Sequence, residues 1–304
     1  WGYVRGGMGS VSRALAASVI EEGGDIRLES PVDEVKASSG KTTGVVLADG
    51  SEISAGVVLS GLELKQSILS LLDWKVLPQG FTERVARFKT RGSSAKLNIA
   101  LNGLPEFAGI EGDCTALEGD IRLCGTIADM ERAYDDWKER VMPRDPYIEM
   151  VLPSRLDPTL ASPGKHVASV FVQYVPDSLI DGSWTDAKRA QLQEVVLDKI
   201  ERHAPGFRKL VRHVETRTPA DLESEIGMTQ GNIFHGELTM DQLLFNRPIP
   251  GYAQYRSPIS GLYMCGSSTH PGGGVMAAPG ANAAREILSD LKRPNTVPES
   301  FGDD

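Results

Sequence analysis

The sequence has few cysteines, no long apolar run and too few basic residues to balance its acids. Its 304 residues include three cysteines, Cys114, Cys124 and Cys265, with no Cys-x-x-Cys pair, which argues against a disulfide framework and a thiolate zinc site. No run reaches the roughly 18 apolar residues of a membrane-spanning helix. The formal net charge of −9 disfavours nucleic acid and anionic lipid surfaces, because both attract basic proteins. The scarcity of cysteine favours a reducing, intracellular compartment.

A dinucleotide-binding fingerprint is missing as well. The segment Gly7-Met8-Gly9-Ser10-Val11-Ser12 gives only G-x-G-x-x-S, and no strand precedes it, so it predicts the entry to a helix. The opening residues WGYVRGGMGS match neither a secretory signal nor a transit peptide. Because the chain begins with Trp1 on a glycine-rich turn, we expect it to be a piece of a longer protein.

The residue pattern predicts a mixed fold, α+β or α/β. Residues 10–22 are expected to form a helix that opens the chain, and a small β-meander should follow it up to residue 62. The inward face of this helix is expected to consist of Val11, Ala14, Leu15, Ser18 and Val19. The strands of the meander are predicted at 26–29, 32–37, 44–47, 52–53 and 57–59.

Residues 63–226 alternate strands and helices, which predicts a domain built on an antiparallel or mixed sheet. Its strands are predicted at 95–101, 121–127, 147–152, 166–175 and 211–217. Its helices are predicted at 64–72, 130–140 and 186–203, the last with a capping box of Ser183 and Asp186. The loop-rich segment 227–291 should contain a strand at 262–265 and a helix at 281–291, and 292–304 should be a flexible tail.

Glycines are concentrated in residues 261–280, GLYMCGSSTHPGGGVMAAPG, between an apolar strand and the last helix. A helix that begins after such a loop presents free backbone N–H groups and the positive end of its dipole. Gly272, Gly273 and Gly274 would let a flat or anionic ligand approach the backbone itself. The same glycines could instead serve only the conformation of a turn, and the pattern alone leaves both interpretations open.

This segment closely resembles the C-terminal flavin-binding signature of phytoene desaturase-type FAD-dependent oxidoreductases, in the amine oxidase-like flavoprotein superfamily. The approach HGELTMDQLLFNRPIPGYAQYRSPISG and the opening GGMGSVSRALA are similar to the branch of pyridine nucleotide-disulfide oxidoreductase domain-containing protein 2. The resemblance covers residues 1–62 and about 227–291, while the middle fits only in length and alternation. The chain departs from that branch at Ala281, where Arg is usual.

The resemblance implies the C-terminal part of a two-domain flavoprotein in which a substrate domain is inserted. Residues 1–62 would be part of the FAD-binding domain, 63–226 the substrate domain, and 227–291 the return and the flavin-binding segment. The implied cofactor-binding residues are Val32, Ser60, Gly266, His270, Gly272, Gly273, Gly274, Val275 and Gly280, with no catalytic residue and no metal ligand assigned.

The implied reaction passes a hydride from an apolar organic substrate to flavin N5, and the N–H groups of the last helix would stabilise the resulting negative charge. Because the Rossmann unit is missing, this chain alone is expected to hold FAD weakly or not at all. It would need an N-terminal Rossmann half or self-association. The implied compartment is the cytoplasm of a bacterium, or the mitochondrial matrix of a eukaryote.

Two other functions remain open from the sequence. A non-catalytic interaction module would keep the fold without flavin, and a hydrolase or acyltransferase would use Ser267 or Cys265, although the GxSxG motif is absent. His270 could contact a ligand or merely order the backbone. Arg247 could contact the cofactor or line the route of the substrate, but it is expected rather to pack the loop that precedes the glycine-rich segment.

Overall fold

The computed structural model describes residues 2–110 and 115–292, so Cys114 and residues 293–304 of the predicted tail lie outside the described residues. The strands are β1 (Val32–Ser38), β2 (Lys41–Leu47), β3 (Glu52–Ser54), β4 (Val58–Ser60), β5 (Ser94–Leu101), β6 (Ile121–Leu123), β7 (Tyr147–Val151), β8 (His166–Gln173), β9 (Val211–Arg217) and β10 (Leu262–Met264). The α-helices are α1 (Gly9–Glu21), α2 (Phe81–Ala86), α3 (Ile127–Glu139), α4 (Asp186–His203), α5 (Phe207–Leu210), α6 (Pro219–Ile226) and α7 (Ala278–Leu291).

The described chain divides into two compact units, and each is built from two separate stretches. The first unit takes the described residues up to Leu28 together with Arg91–Asn232. The second takes Glu29–Thr90 and the described residues from Ile233 onward. No helix among the described residues is long and apolar enough to cross a membrane.

The first unit is built on a five-stranded antiparallel sheet with the order β6-β7-β8-β5-β9. Strand β5 lies inside the sheet, paired with β8 on one side and with β9 on the other. Leu97, Ile99 and Leu101 of β5 are buried against the core, which they share with α4. Lys96 and Asn98 alternate with them on the other face of the sheet. The mixed fold predicted from the sequence is confirmed.

Some predicted boundaries in this unit were wrong because a cap, and not the apolar pattern, ends or starts the element. The strand predicted at 121–127 stops at Leu123, because Thr126 and Asp129 form a capping box that begins α3. Helix α4 is capped by Thr185, whose side chain accepts a hydrogen bond from the Lys188 backbone N–H at 3.3 Å. The capping box predicted for Ser183 and Asp186 is therefore wrong, because Thr185 is the N-cap residue.

The expected inner face of the first helix is also wrong. Helix α1 has no buried residue, and Leu15 and Val19 are 57% and 46% exposed. The apolar pattern identifies one side of a helix but not the element that covers it, and no described residue buries this side. The strand predicted at 26–29 is absent too, because no described strand pairs with it, and Leu28 is exposed.

The second unit combines an antiparallel meander with a parallel pair of strands. Strands β1, β2 and β3 form the meander, and β4 pairs with β10 in parallel, with Val58 opposite Leu262 and Ser60 opposite Met264. A bridge between Lys41 and Ser260 joins the meander to the approach to β10. Two segments about 200 residues apart in sequence thus meet, as expected for strands of a parallel sheet, which need a long connection.

Candidate functional site

The candidate site lies at the carboxyl ends of the two parallel strands. The Cys265 backbone N–H donates to the Ser60 carbonyl oxygen at 2.9 Å, so both strands end side by side. A Cβ atom on Gly266 would lie only 2.6 Å from the Gly61 carbonyl oxygen, so the close approach of the two chains requires glycine there. Ligands of open α/β sheets bind at this edge of parallel strands.

The glycine loop, residues 266–274, begins with a tight turn. The Thr269 backbone N–H and hydroxyl both donate to the Gly266 carbonyl oxygen, at 3.0 and 2.8 Å. Ser268 and Thr269 are completely buried. Within the described residues, Ser268 Oγ and His270 Nδ1 are buried without a hydrogen-bond partner. Such orphaned polar atoms call for a partner, because leaving them unpaired costs free energy.

Arg247 holds this loop from inside the unit. Its side chain is fully buried, and Nε and Nη2 donate to the Ser267 carbonyl oxygen at 3.0 and 2.8 Å. The remaining donors reach four more backbone carbonyl oxygens, those of Phe234, Gly236, Glu237 and Gln242. The prediction that Arg247 packs the loop is confirmed.

Tyr255 ties the glycine loop to the last helix. Its hydroxyl donates to the His270 carbonyl oxygen at 2.8 Å and accepts from the Asn282 side-chain amide at 2.8 Å. Asn282 belongs to α7, so one phenol positions the loop and the helix that follows it. His270 thus takes part in ordering the backbone through its carbonyl group, while its ring Nδ1 remains available.

The protein itself explains several of the glycines in the loop. A Cβ atom on Gly273 would lie 2.6 Å from the ring of Phe234, and Gly272 and Gly274 have φ angles of +108° and +128°. Side chains rarely adopt such angles, so glycine is needed for the turn itself. Gly280 differs, because it lies in α7 with open space where a Cβ atom would be.

Helix α7 begins without a side-chain cap. Its N-cap residue, Ala277, has a φ of +53° and no side chain that could accept a hydrogen bond, and the first turn carries no acidic residue. The first N–H groups of a helix have no partner within it, and the helix dipole makes this end positive. An uncapped N-terminus therefore suits a ligand with electron-rich oxygen or nitrogen atoms.

Most of the implied cofactor-binding residues lie together in the second unit. Ser60, Gly266, His270 and the run Gly272–Gly274 surround one strand edge and one loop, and the Tyr255 contacts link them to the helix of Gly280. The Val275 side chain is 80% exposed. Val32 begins β1 opposite Leu47 and takes no part in the hydrogen bonds that hold the loop.

The geometry does not support the alternative that the chain is a hydrolase or an acyltransferase using Ser267 or Cys265. Burial raises the pKa of the Cys265 thiol, which keeps it protonated and weakly nucleophilic. His270 Nδ1 has no hydrogen-bond partner in the described chain, so this ring nitrogen is not positioned as a base for Ser267. Neither candidate has the nucleophile–base contact that such chemistry requires.

Sequence reasoning missed Lys96, in the first unit. This side chain lies on the half-buried face of the five-stranded sheet, where Nζ donates to Ser169 Oγ, and burial lowers its pKa. A lysine with a lowered pKa is a candidate for proton transfer. The signal in the sequence is a lone lysine within the apolar alternation SAKLNIAL, which is a weak signal because exposed faces of strands often carry lysine.

A glycine loop and an uncapped helix at the carboxyl ends of parallel strands are features of flavin- and dinucleotide-binding proteins. The chain belongs to the flavin containing amine oxidoreductase family, whose model matches residues 2–288. Over 300 residues it is 41% identical to pyridine nucleotide-disulfide oxidoreductase domain-containing protein 2 of Rattus norvegicus, covering 96% of this chain and 52% of that protein. These matches confirm the family and the branch that the sequence suggested.

More distant relatives agree with this assignment. The chain is 28% identical to 4,4'-diapolycopene oxygenase of Methylomonas sp. over 300 residues, which is 95% of this chain and 55% of that protein. A solved oxidoreductase from Methanosarcina mazei shares the fold with a TM-score of 0.59 at 17% identity, covering 95% of this chain and 55% of that one. The chain thus spans about half the length of the curated relatives that it matches.

Proposed function

We propose that this chain is the C-terminal part of an FAD-dependent oxidoreductase that oxidises an apolar organic molecule. The observation that carries the proposal is the uncapped N-terminus of α7, tied through Asn282 and Tyr255 to a glycine loop at the carboxyl ends of β4 and β10. Membership of the flavin-containing family supports it.

The residues present fit the polar edge of a flavin. The free N–H groups of the first turn of α7 would face its electron-rich oxygen and nitrogen atoms, and Gly280 leaves room for a ring to approach. The orphaned Ser268 hydroxyl and His270 Nδ1 add two polar atoms at the same loop. Val32, at the start of β1, is proposed to lie along the adenine end.

When bound, the flavin supplies an acceptor for a hydride from the substrate. The chain contributes position and electrostatics. The first turn of α7 would favour negative charge at the edge of the flavin. Tyr255 fixes the position of the helix relative to the loop through its hydrogen bonds to Asn282 and His270. Arg247 fixes the loop from the buried side by donating two hydrogen bonds to the Ser267 carbonyl oxygen. The site thus needs no general base among the loop residues.

The antiparallel sheet of the first unit is proposed to bind the substrate. One face of the sheet forms the core, while the other carries the half-buried Lys96 and Asn98. Asn98 donates to Glu215 across the sheet at 3.0 Å, and Lys96 Nζ could take up or release a proton there because its pKa is lowered. An apolar substrate is consistent with the name of the diapolycopene oxygenase relative.

The remaining part of the flavin site is proposed to come from an N-terminal Rossmann half. Three features support this: the chain spans about half of its relatives, α1 exposes its apolar side, and no described strand extends the parallel pair of β4 and β10. Parallel sheets are normally larger and covered on both faces. Self-association of this chain is the other arrangement that would cover these surfaces.

Calorimetric titration with FAD tests the proposal. We expect weak or no binding to the chain alone, and a stable complex with a visible flavin spectrum once the N-terminal half is added. Submicromolar binding to the chain alone would contradict the need for that half. A full-length protein that stays colourless and binds no FAD would contradict the flavoenzyme and support a non-catalytic interaction module.

A further inference from the structure

The second unit contains a buried cation that has no carboxylate beside it. Arg247 is completely buried, and its guanidinium group donates only to the backbone carbonyl oxygens of Phe234, Gly236, Glu237, Gln242 and Ser267. No ion pair to Arg247 occurs within the described residues. Burial lowers the pKa of Arg247 to about 10, so the group still carries its proton at neutral pH.

Buried charges normally have an ionic partner, because carbonyl dipoles solvate a cation without neutralising it. The surrounding carbonyl groups satisfy the donors of Arg247 without neutralising its charge, and no carboxylate among the described residues forms an ion pair with it. Arg256 of the same unit shows the contrast, because it contacts both Glu286 and Asp290, at 2.6 and 2.8 Å. Arg247 is therefore unusual in two respects: its side chain is completely buried, and no carboxylate among the described residues pairs with it.

This charge lies directly against the glycine loop. A Cβ atom on Gly272 would be 3.6 Å from Arg247 Nε, and the Ser267 carbonyl oxygen accepts from two of its nitrogens. The guanidinium group thus contacts the backbone of the loop on which the ligand is proposed to bind. At the effective dielectric of a protein, a cation a few ångströms away shifts an equilibrium that creates negative charge by about tenfold or more.

We propose that Arg247 is a positioning residue whose unpaired positive charge favours the reduced, negatively charged form of the flavin bound at the glycine loop. This inference rests on the proposed function, because it requires a flavin at that loop. It assigns Arg247 two effects that can be separated: its planar donors order the loop, and its charge raises the midpoint potential of the cofactor.

The test measures the midpoint potential of the flavin-loaded protein by equilibration with redox dyes. Arg247→Lys and Arg247→Met both lose the planar donors, but only the first keeps the charge. We expect Arg247→Met to disfavour reduction by about tenfold relative to Arg247→Lys, which is about 30 mV for a two-electron couple. Arg87→Gln, which removes an exposed charge of the same unit, should leave the potential unchanged.

A second pair of variants keeps Arg247 in place, in case Arg247→Met fails to fold. Leu238 is half-exposed, and its Cδ2 lies 4.0 Å from the same Cβ position of Gly272 that Arg247 Nε approaches. Leu238→Glu would bring a carboxylate towards the guanidinium group, and Leu238→Gln is its uncharged match. We expect Leu238→Glu to lower the potential relative to Leu238→Gln.

Equal potentials within both pairs would overturn the inference and leave the proposed function intact. A potential that falls equally in Arg247→Lys and Arg247→Met would also overturn it, because loop geometry would then explain the effect. Failure of the wild-type protein to take up any flavin would refute the proposed function, and this inference with it.

Discussion

The ring of Phe234 occupies the place that a Cβ atom would take on Gly273, at 2.6 Å from ring atom Cδ1. The same residue accepts a hydrogen bond from Arg247 through its carbonyl group at 2.7 Å. Phe234 thus joins the glycine loop to the segment that precedes it by both packing and hydrogen bonding. Glycine at 273 is a requirement of this packing, whatever ligand the loop binds.

Gly273→Ala should therefore destabilise the protein by about 1–3 kcal/mol, the range for an overpacked site. Replacing Phe234 with Ala in the same chain should recover part of this loss, because the ring that clashes is then absent. Denaturant unfolding of the two single variants and the double variant measures the coupling between them. Additive losses would show that the two residues do not compete for the same space.

Lys96→Met should raise the stability of the protein at neutral pH. Burial lowers the folded-state pKa of Lys96 below its ordinary value of 10.5, so the charged amine opposes folding at neutral pH. That opposition is relieved as the pH rises from the folded-state pKa towards 10.5. Thermal unfolding of wild type and Lys96→Met should be compared between pH 7 and 10.5. The difference between their melting temperatures should become smaller as the pH rises.

Lys209→Met, at an exposed position of the same unit, is the control for this comparison. It should change the melting temperature little at any pH, because its amine is solvated in both states. A lower stability of Lys96→Met at neutral pH would mean that the hydrogen bond to Ser169 outweighs the cost of burying the charge.

Tyr263→Phe should weaken the attachment of α7 to β10. The Tyr263 hydroxyl donates to Asp290 at 2.8 Å, and burial together with this carboxylate raises the pKa of Tyr263 to about 12. Loss of the hydrogen bond should cost about 1 kcal/mol of unfolding free energy at neutral pH. A raised tyrosine pKa stabilises the fold below pH 10 and ceases to do so as the pH approaches 12.

The stability difference between wild type and Tyr263→Phe should therefore be constant from pH 7 to 10 and shrink above pH 10. Denaturant unfolding across this range measures it. A difference that does not change up to pH 12 would show that Tyr263 titrates like an ordinary tyrosine in both states.

The sequence predicted best the elements that local patterning determines. Strand β9 (Val211–Arg217) and helix α4 (Asp186–His203) have the predicted bounds, because apolar periodicity and flanking turns specify them. Helix α1 was predicted correctly as a helix, but its predicted inner face is exposed, because burial depends on residues that are distant in sequence. Helix α6 was missed because its capping box, Thr218 with Asp221, follows directly after a strand.

The candidate site was only partly accessible from the sequence. The glycine loop and its helix could be recognised from their order along the chain, together with the family resemblance. The burial of Arg247 could not be predicted from the sequence. Its carbonyl partners come from separate turns between Phe234 and Ser267, and only the fold brings these turns together. Lys96 was missed for a related reason. The burial of its side chain depends on the strands β8 and β9, which flank β5 in the sheet.

Flavin content of the Gly280→Leu protein tests the central claim most directly. Gly280 lies inside α7 with open space at its Cβ position, so leucine should be tolerated by the fold and should favour the helix by up to about 1 kcal/mol. If a flavin ring lies against this turn, the leucine side chain must exclude it. Ala284→Leu, one turn farther along the helix at an exposed position, is the matched control. We predict that Gly280→Leu, purified as the full-length protein, folds but lacks flavin absorbance, while Ala284→Leu retains it. A normal flavin spectrum in Gly280→Leu would contradict the placement of the cofactor at this helix.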